Sequence, residues 1–304
     1  MKKLLIFVPS LRGGGAEKVA INLSNTFAED NDKTYLMFVK KNSLNLNHLN
    51  KKLNLINLNK TRLLFSIIPI IKFLFQNYKN LYVISFLNAP NLLFCLLKFF
   101  IRNMNFYLTI TIHNCISESY KNSNFIGKLI ILLMSYFCTY ADKIICVSDF
   151  VKQDFKNNWN KRHKNIKTIY NPAINVNEIK KLSKKKNLFI EKYKNKNYKV
   201  VLAVGRLTEQ KNYKLLINSF GKVVKKINKI ILIILGSGDQ KNMLMQMIKE
   251  QNLTKKIFIF NYQSNPYSFI KNSDLIVLSS NWEGLPTILI ESLFLKKKSC
   301  LEEI

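Results

Sequence analysis

Glu283 and Glu291, with seven residues between them and Gly284-Leu285-Pro286 in that interval, are the side chains of this sequence best placed to do chemistry. They follow an apolar run, Leu275-Ile276-Val277-Leu278, so the segment reads as strand, tight loop and helix. Glu283 then sits in the loop at the carboxyl end of the strand. Glu291 lies on the second turn of a helix that Pro286 helps to start. Gly284 lets a ligand approach the backbone closely. Such a unit suits a polyhydroxylated ligand, each carboxylate accepting hydrogen bonds from a different sugar ring.

A second constellation is basic. In Val204-Gly205-Arg206-Leu207-Thr208-Glu209-Gln210-Lys211-Asn212, Arg206 leaves the end of a strand and Lys211 opens the next helix. Both cations would converge on a diphosphate, arginine with a planar fork of donors and lysine with a compact charge. Charge gathers on a leaving diphosphate as its bond breaks, so cations already in place lower the barrier. A pair of ordinary surface cations is the plainer reading, in a chain with 48 Lys and Arg. Two glycine turns complete the set. Gly13-Gly14-Gly15 follows the first apolar run and opens a helix, freeing backbone N–H groups to face an anion; the plainer reading is a flexible turn. The third position after Gly15 is Lys18, which breaks the G-x-G-x-x-G pattern and argues against a dinucleotide oxidoreductase. Gly236 and Gly238 form a similar strand-end turn. His113 comes directly after the run Tyr107–Ile112, and a lone histidine there is by itself more often structural than functional.

These residues need a scaffold that gathers strand ends. Short apolar runs alternate with longer amphipathic segments, the rhythm of parallel α/β architecture. Strands are expected at Leu4–Val8, Tyr35–Val39, Leu53–Leu58, Leu81–Phe86, Tyr107–Ile112, Lys143–Val147 and Ile166–Ile169. Helices are expected around Ala16–Ala28, Leu64–Gln76, Asn91–Ile101 and Lys128–Tyr140. Ile179–Tyr198 reads as a solvated helix and linker. A second series then begins with Val200–Val204, Lys229–Leu235, Ile257–Phe260 and Leu275–Leu278. The expected fold is α/β, with two Rossmann-like doubly wound domains, 1–175 and 176–304, facing across a ligand cleft. Seven of the nine glycines fall at the proposed strand-to-helix turns, as a ligand site would require.

The 304 residues suffice for two domains, and 48% are hydrophobic. A net charge of +30 calls for anionic partners such as nucleotide phosphates, nucleic acid or an acidic membrane surface, although Lys is spread along the whole chain. The five cysteines form no C-x-x-C pair, which fits a reduced, cytoplasmic setting. His48, His113 and His163 lack metal-ligand spacing, so no metal is expected. Leu4–Val8 is too short for a signal peptide and leads into Pro9-Ser10 without a cleavage site. No run reaches the ~20 apolar residues that span a bilayer. The basic apolar segments Lys60–Lys79 and Lys128–Tyr140 read either as helices resting on an anionic membrane surface or as ordinary core helices.

Taken together, the motifs resemble those of the retaining glycosyltransferases of family 4, which have the GT-B fold. The Glu283–Glu291 segment is similar to their E-x7-E signature, Gly14-Gly15-Ala16-Glu17 to their GGAE-type loop, and Gly205-Arg206-Leu207 with Lys211-Asn212 to their basic motif. Val147-Ser148 and Asn171-Pro172 also match, the latter closing the first domain. The resemblance covers essentially the whole chain. It implies an enzyme of the EC 2.4 class that is metal-independent, needs no cofactor and takes a UDP- or GDP-linked sugar as donor. Arg206 and Lys211 would hold the diphosphate, Glu283 the donor-sugar hydroxyls and Glu291 the ribose. Gly14, Gly15, Gly236, Gly238, Gly284, Leu285 and Pro286 would line the donor site. His113 would position and polarise sugar hydroxyls. Retention is explained in this family by same-face attack assisted by the leaving phosphate, so no protein nucleophile is assigned. The implied acceptor is a glycan or lipid-linked saccharide of envelope polysaccharide or lipopolysaccharide, reached from the cytoplasmic face of the membrane.

The C-terminal end departs from the pattern. Family members continue beyond the E-x7-E helix, whereas here no strand is evident after Glu291. The second domain is therefore expected to be incomplete, leaving Leu275–Leu278 as an exposed apolar edge in a truncated, poorly active chain. Two competing readings are an inactive remnant that binds nucleotide-sugar or membrane, and a basic nucleic-acid-binding protein. The second has charge alone in its favour, lacks a recognised motif and leaves Glu283 and Glu291 unexplained, so no nucleic acid is expected.

Overall fold

The computed structural model describes residues 2–11, 14–40, 49–101, 103–160, 163, 165–171 and 174–301. Gly13, His48 and Pro172, named above, lie outside them. The chain divides into two compact units, 1–172 and 173–304.

In the first unit, seven parallel strands form one sheet. They are β1 (Lys3–Val8), β2 (Thr34–Phe38), β3 (Asn54–Asn57), β4 (Leu81–Phe86), β5 (Tyr107–Ile112), β6 (Lys143–Cys146) and β7 (Ile166–Thr168), in the order β3-β2-β1-β4-β5-β6-β7. Both faces of the sheet are covered, which is why β1 is apolar from Leu4 to Val8 rather than alternating. Leu4, Ile6 and Val8 point to one face, where Val19, Ala20 and Ile21 of α1 (Gly15–Asp30) pack on them. Leu5 and Phe7 point to the other. There Phe7 meets Phe94 of α3 (Asn88–Phe100) at 5.1 Å, edge to face. Tyr35, in register with Leu5, meets Phe73 of α2 (Ile67–Asn77) at 5.3 Å on that same face. After β5 come the short α4 (Ile116–Lys121) and α5 (Phe125–Phe137), the latter packed against α3. The short α6 (Asp149–Asp154) follows β6.

The second unit opens with α7 (Val176–Ser183) and α8 (Leu188–Lys194). The Lys-rich stretch expected as solvated helix and linker is thus two helices. Ile179 and Ile190 are fully buried with Val200, Leu202, Ile231 and Ile233, and single buried isoleucines among lysines are a weak periodic signal. The sheet comprises β8 (Lys199–Val204), β9 (Ile230–Leu235), β10 (Ile257–Phe260), β11 (Leu275–Leu278) and β12 (Lys298–Leu301), in the order β10-β9-β8-β11-β12. Its opposite face holds Val201, Ala203, Leu232 and Ile234 against α9 (Tyr213–Lys226) and α10 (Lys241–Glu250). The helices α11 (Tyr267–Asn272) and α12 (Thr287–Phe294) flank β11 in sequence.

One expectation is corrected here. Leu275–Leu278 is not an edge, because β12 pairs along it in parallel from Leu275↔Lys298 to Leu278↔Leu301. β12 offers no apolar run to read, because it opens on Lys298-Ser299 and its residues Lys298, Ser299 and Cys300 are exposed, as edge-strand residues commonly are.

Candidate active site

Ligands of an open parallel sheet bind outside the carboxyl ends of the strands, where the strand order reverses. In the second sheet that point lies between β8 and β11. The loop after β8 carries Gly205, Arg206 and Lys211, and the loop after β11 carries Glu283. The two loops are clasped together. The Asn281 N–H donates to the Gln210 carbonyl at 2.8 Å, Asn281 Nδ2 to the Glu209 carbonyl at 3.0 Å and Gln210 Nε2 to the Trp282 carbonyl at 3.0 Å. Asn212 Nδ2 donates to Asn281 Oδ1 at 2.7 Å, and the Ser279 hydroxyl to the Lys211 carbonyl at 2.9 Å. Asn212 also adopts the left-handed conformation (φ 46°) and caps α9, its side chain accepting from the Leu215 N–H. An asparagine tolerates that φ better than most residues.

The clasp brings two expected site residues into contact. Lys211 Nζ forms an ion pair with Glu283 Oε1, an atom that also accepts the Ser280 hydroxyl at 2.7 Å. Both side chains are mostly buried, 15% and 11% exposed. The Tyr213 phenol beneath them is pushed upward by burial and then by the Glu283 charge, so it stays protonated. Arg206 is exposed and belongs to no ion pair among the described residues. Thus one cation of the basic motif is already neutralised by a site carboxylate, and the other stands open to an anion. Glu291 lies elsewhere, 3% exposed on α12, accepting from the Tyr267 hydroxyl at 3.5 Å. Burial and the Glu291 charge raise the Tyr267 phenol.

Gly236 and Gly238 have a role that spacing did not reveal. The Gly205 N–H donates to the Leu235 carbonyl at 3.0 Å, and the Leu207 N–H to the Ser237 carbonyl at 3.1 Å. The loops after β8 and β9 therefore run backbone to backbone. A Cβ at Gly236 would overlap the Gly205 carbonyl, and one at Gly238 would lie 2.7 Å from both N and C of Leu207.

In the first unit, the carboxylate of Glu17 holds the loop after β1. It accepts the Gly14 N–H at 3.0 Å and the Ser10 hydroxyl, so the third helical residue caps the start of α1 from within, glycine having no side chain to return the bond. Gly14 is extended and Gly15 is the first helical residue. Glu17→Ala is expected to lower stability by about 1–2 kcal/mol, read as a lower urea midpoint at unchanged slope.

His113 leaves the end of β5 and stacks on Phe86 with centroids 5.1 Å apart. Its Nε2 lies 2.9 Å from Thr111 Oγ1. That hydroxyl gives its only proton to the Ser85 carbonyl at 2.8 Å, so toward His113 it accepts. The neutral imidazole therefore carries its proton on Nε2 and presents Nδ1 as an acceptor. Burial lowers the His113 pKa from its ordinary value of 6.5 to about 4, which makes it a weak base at neutral pH. The unfolded chain takes up a proton here that the folded chain refuses. The contribution to stability is full above pH 6.5 and is lost as pH falls through about 4. The loss is on the order of 3 kcal/mol. In urea melts between pH 7 and pH 4, His113→Asn is expected to show a shallower decline than the parent. Nearby, Asp154 of α6 accepts the N–H groups of Ile116 at 2.7 Å and Ser117 at 3.0 Å, holding the start of α4. Its charge-stabilising bonds lower its pKa against the opposing effect of burial. No motif signals this residue.

Among the described residues, no group of three or more His, Cys, Asp or Glu is placed to hold a metal ion, and no helix is long and apolar enough to cross a membrane.

Two parallel doubly wound sheets, with a basic and acidic pair at a switch point, define a GT-B glycosyltransferase fold. Residues 13–173 match the model of Glycosyltransferase Family 4, and residues 184–297 that of Glycosyl transferases group 1. The chain belongs to glycosyltransferase family 4. It is 39% identical over 201 residues to an uncharacterised glycosyltransferase of Methanocaldococcus jannaschii, a match covering 65% of this chain and 48% of that protein. It is 28% identical over 307 residues to a Campylobacter jejuni enzyme, N-acetylgalactosamine-N,N'-diacetylbacillosaminyl-diphospho-undecaprenol 4-alpha-N-acetylgalactosaminyltransferase, covering 96% of this chain and 78% of that one. The crystal structure of Anabaena HepE in complex with UDP-glucose superimposes with a TM-score of 0.77 at 18% identity, covering 99% of this chain and 80% of that one. At that identity the likeness speaks for the fold.

Proposed function

We infer that this chain transfers a hexosyl or N-acetylhexosaminyl group from a nucleotide-sugar, a UDP-sugar first among those to test, to a glycan or lipid-linked acceptor of envelope polysaccharide or lipopolysaccharide. The observation that carries the reading is the Lys211–Glu283 pair beside the open Arg206 at the switch point of the second sheet. A diphosphate meets Arg206 first and then shares Lys211, while the released carboxylate edge of Glu283 accepts donor-sugar hydroxyls. Glu291 accepts the ribose hydroxyls, and Gly284, Leu285 and Pro286 bring backbone close to the sugar. His113, through Nδ1, accepts a sugar hydroxyl.

Retention is the proposed outcome. Glu283 is held by a lysine and a serine, which suits it to positioning and leaves it a poor nucleophile. The bond from the anomeric carbon to the β-phosphate oxygen breaks, and the acceptor oxygen bonds to that carbon from the same face. The acceptor proton passes to the departing phosphate. The products are a glycoside and a nucleoside diphosphate, formed at the cytoplasmic face of the membrane. Incubation with UDP-N-acetylhexosamine and an isoprenyl-diphosphate saccharide should release UDP and give an α-linked product by NMR. A β-linked product overturns retention, and absence of nucleoside diphosphate release with every UDP- and GDP-sugar overturns the transferase reading.

A further inference from the structure

The helical layer over one face of the first sheet ends in an outer surface that the fold does not cover. Phe73 of α2 and Phe94 of α3 pack on the same face of the sheet, and α5 packs against α3, so α2, α3 and α5 form one layer. The core takes much of α3 but little of what α2 and α5 offer. In α5, Phe-Ile-Gly-Lys-Leu-Ile-Ile-Leu-Leu-Met-Ser-Tyr-Phe, only Ile131 and Met134 are buried. Phe125 (81% exposed), Ile126, Leu129, Leu132, Leu133 and Tyr136 (72%) form a stripe at helical spacing on the outside. The turn before α2 and α2 itself repeat the arrangement with Leu64, Phe65, Ile68 (80%) and Phe75. Scattered exposed apolar residues need no explanation, but two continuous stripes in one layer do.

Charge indicates what covers them. Residues 60–79 hold Lys60, Arg62, Lys72 and Lys79 and no acid, and residues 120–141 hold no acid and keep Lys128 as a cation once Lys121 is paired with Glu118. The acids at the margins are neutralised, Glu118 by Lys121 and Asp142 by Lys98. A second copy of the chain would bring these like charges together, whereas an anionic lipid surface complements them. We propose that the outer stripes of α2 and α5 dock on an anionic bilayer, apolar side chains entering the acyl boundary and the basic residues staying among the headgroups. This deepens the lipid-linked acceptor reading and rests on it for its purpose, although the argument for docking is made from the surface alone.

The test is co-sedimentation of the full chain with vesicles of phosphatidylethanolamine and phosphatidylglycerol, and with vesicles of phosphatidylcholine, without donor or acceptor. The parent should bind the anionic vesicles and leave the neutral ones. Phe65→Ser/Ile68→Ser/Phe125→Ser/Ile126→Ser should weaken binding by roughly tenfold or more without lowering the melting temperature, since all four side chains are exposed. Leu188→Ser, at an exposed apolar site of the second unit, should change nothing. Lys60→Glu/Arg62→Glu should remove the preference for anionic lipid. Equal binding by parent and quadruple variant overturns the proposal. So does absence of binding, or an oligomer dissolved by the quadruple variant without vesicle binding, which would assign the stripes to a protein contact. Donor-induced stabilisation is read separately, so failure here leaves the donor-site reading standing, and the converse holds.

Discussion

Glu283→Gln is expected to lower turnover by about 100-fold or more and stability by about 3 kcal/mol. Glutamine preserves the shape of the side chain and still accepts the Ser280 hydroxyl, but Lys211 is left mostly buried without its counter-charge. The kinetic loss should fall on kcat more than on KM, because the carboxylate matters most when charge develops at the anomeric carbon. A double variant separates catalysis from folding. In Lys211→Met/Glu283→Gln no charge is left unpaired, so part of the stability should return. None of the turnover should return with it. Recovery of both together would reduce the pair to a structural ion pair.

Gly238→Ala is expected to destabilise the second unit by about 3 kcal/mol or more and to abolish nucleotide binding with it. Gly236→Ala should behave likewise. Each methyl group would meet backbone rather than a movable side chain, the Gly205 carbonyl in one case and Leu207 in the other. Relief requires the loops after β8 and β9 to separate, breaking the Leu207 to Ser237 hydrogen bond that sets the base of Arg206. Gly14→Ala is the contrast, because among the described residues a Cβ there would meet only Glu17, at 3.6 Å or more. Thermal melts of the three variants, with and without nucleotide, check the ranking. Near-parent stability for Gly238→Ala would contradict the backbone-contact account.

The sheets were legible because both are buried on two faces, so each inner strand is a near-continuous apolar run between turn residues. β9, Ile-Ile-Leu-Ile-Ile-Leu, is buried at all six positions. β12 was not legible for the opposite reason, opening on Lys298-Ser299 with Lys298, Ser299 and Cys300 exposed at the margin of its sheet. The residues of the second-unit site could be named from spacing, since Gly205, Lys211 and Glu283 belong to strand-end loops with distinctive neighbours. Their pairing could not. Contact between Lys211 and Glu283 depends on β11 lying beside β8, a strand order that local sequence does not state. The same holds for Asp154, which reaches Ile116 across 38 residues. The tautomer of His113 follows from a hydroxyl two residues away and a carbonyl on the next strand, which only coordinates reveal. Gly236 and Gly238, expected to line the donor site, carry a further role that spacing does not show, since each admits a neighbouring backbone.

The most direct test of the central claim, a nucleotide-sugar diphosphate held at the β8–β11 switch point, is a thermal melt of the full chain with UDP- and GDP-sugars, for the parent and for Arg206→Ala. Arg206 is exposed and pairs with no described residue, so its loss should leave the ligand-free melting temperature unchanged. The account predicts a saturable rise with one nucleotide in the parent and little or none in the variant at the same concentration. No rise with either nucleotide, or an equal rise in Arg206→Ala, would contradict it.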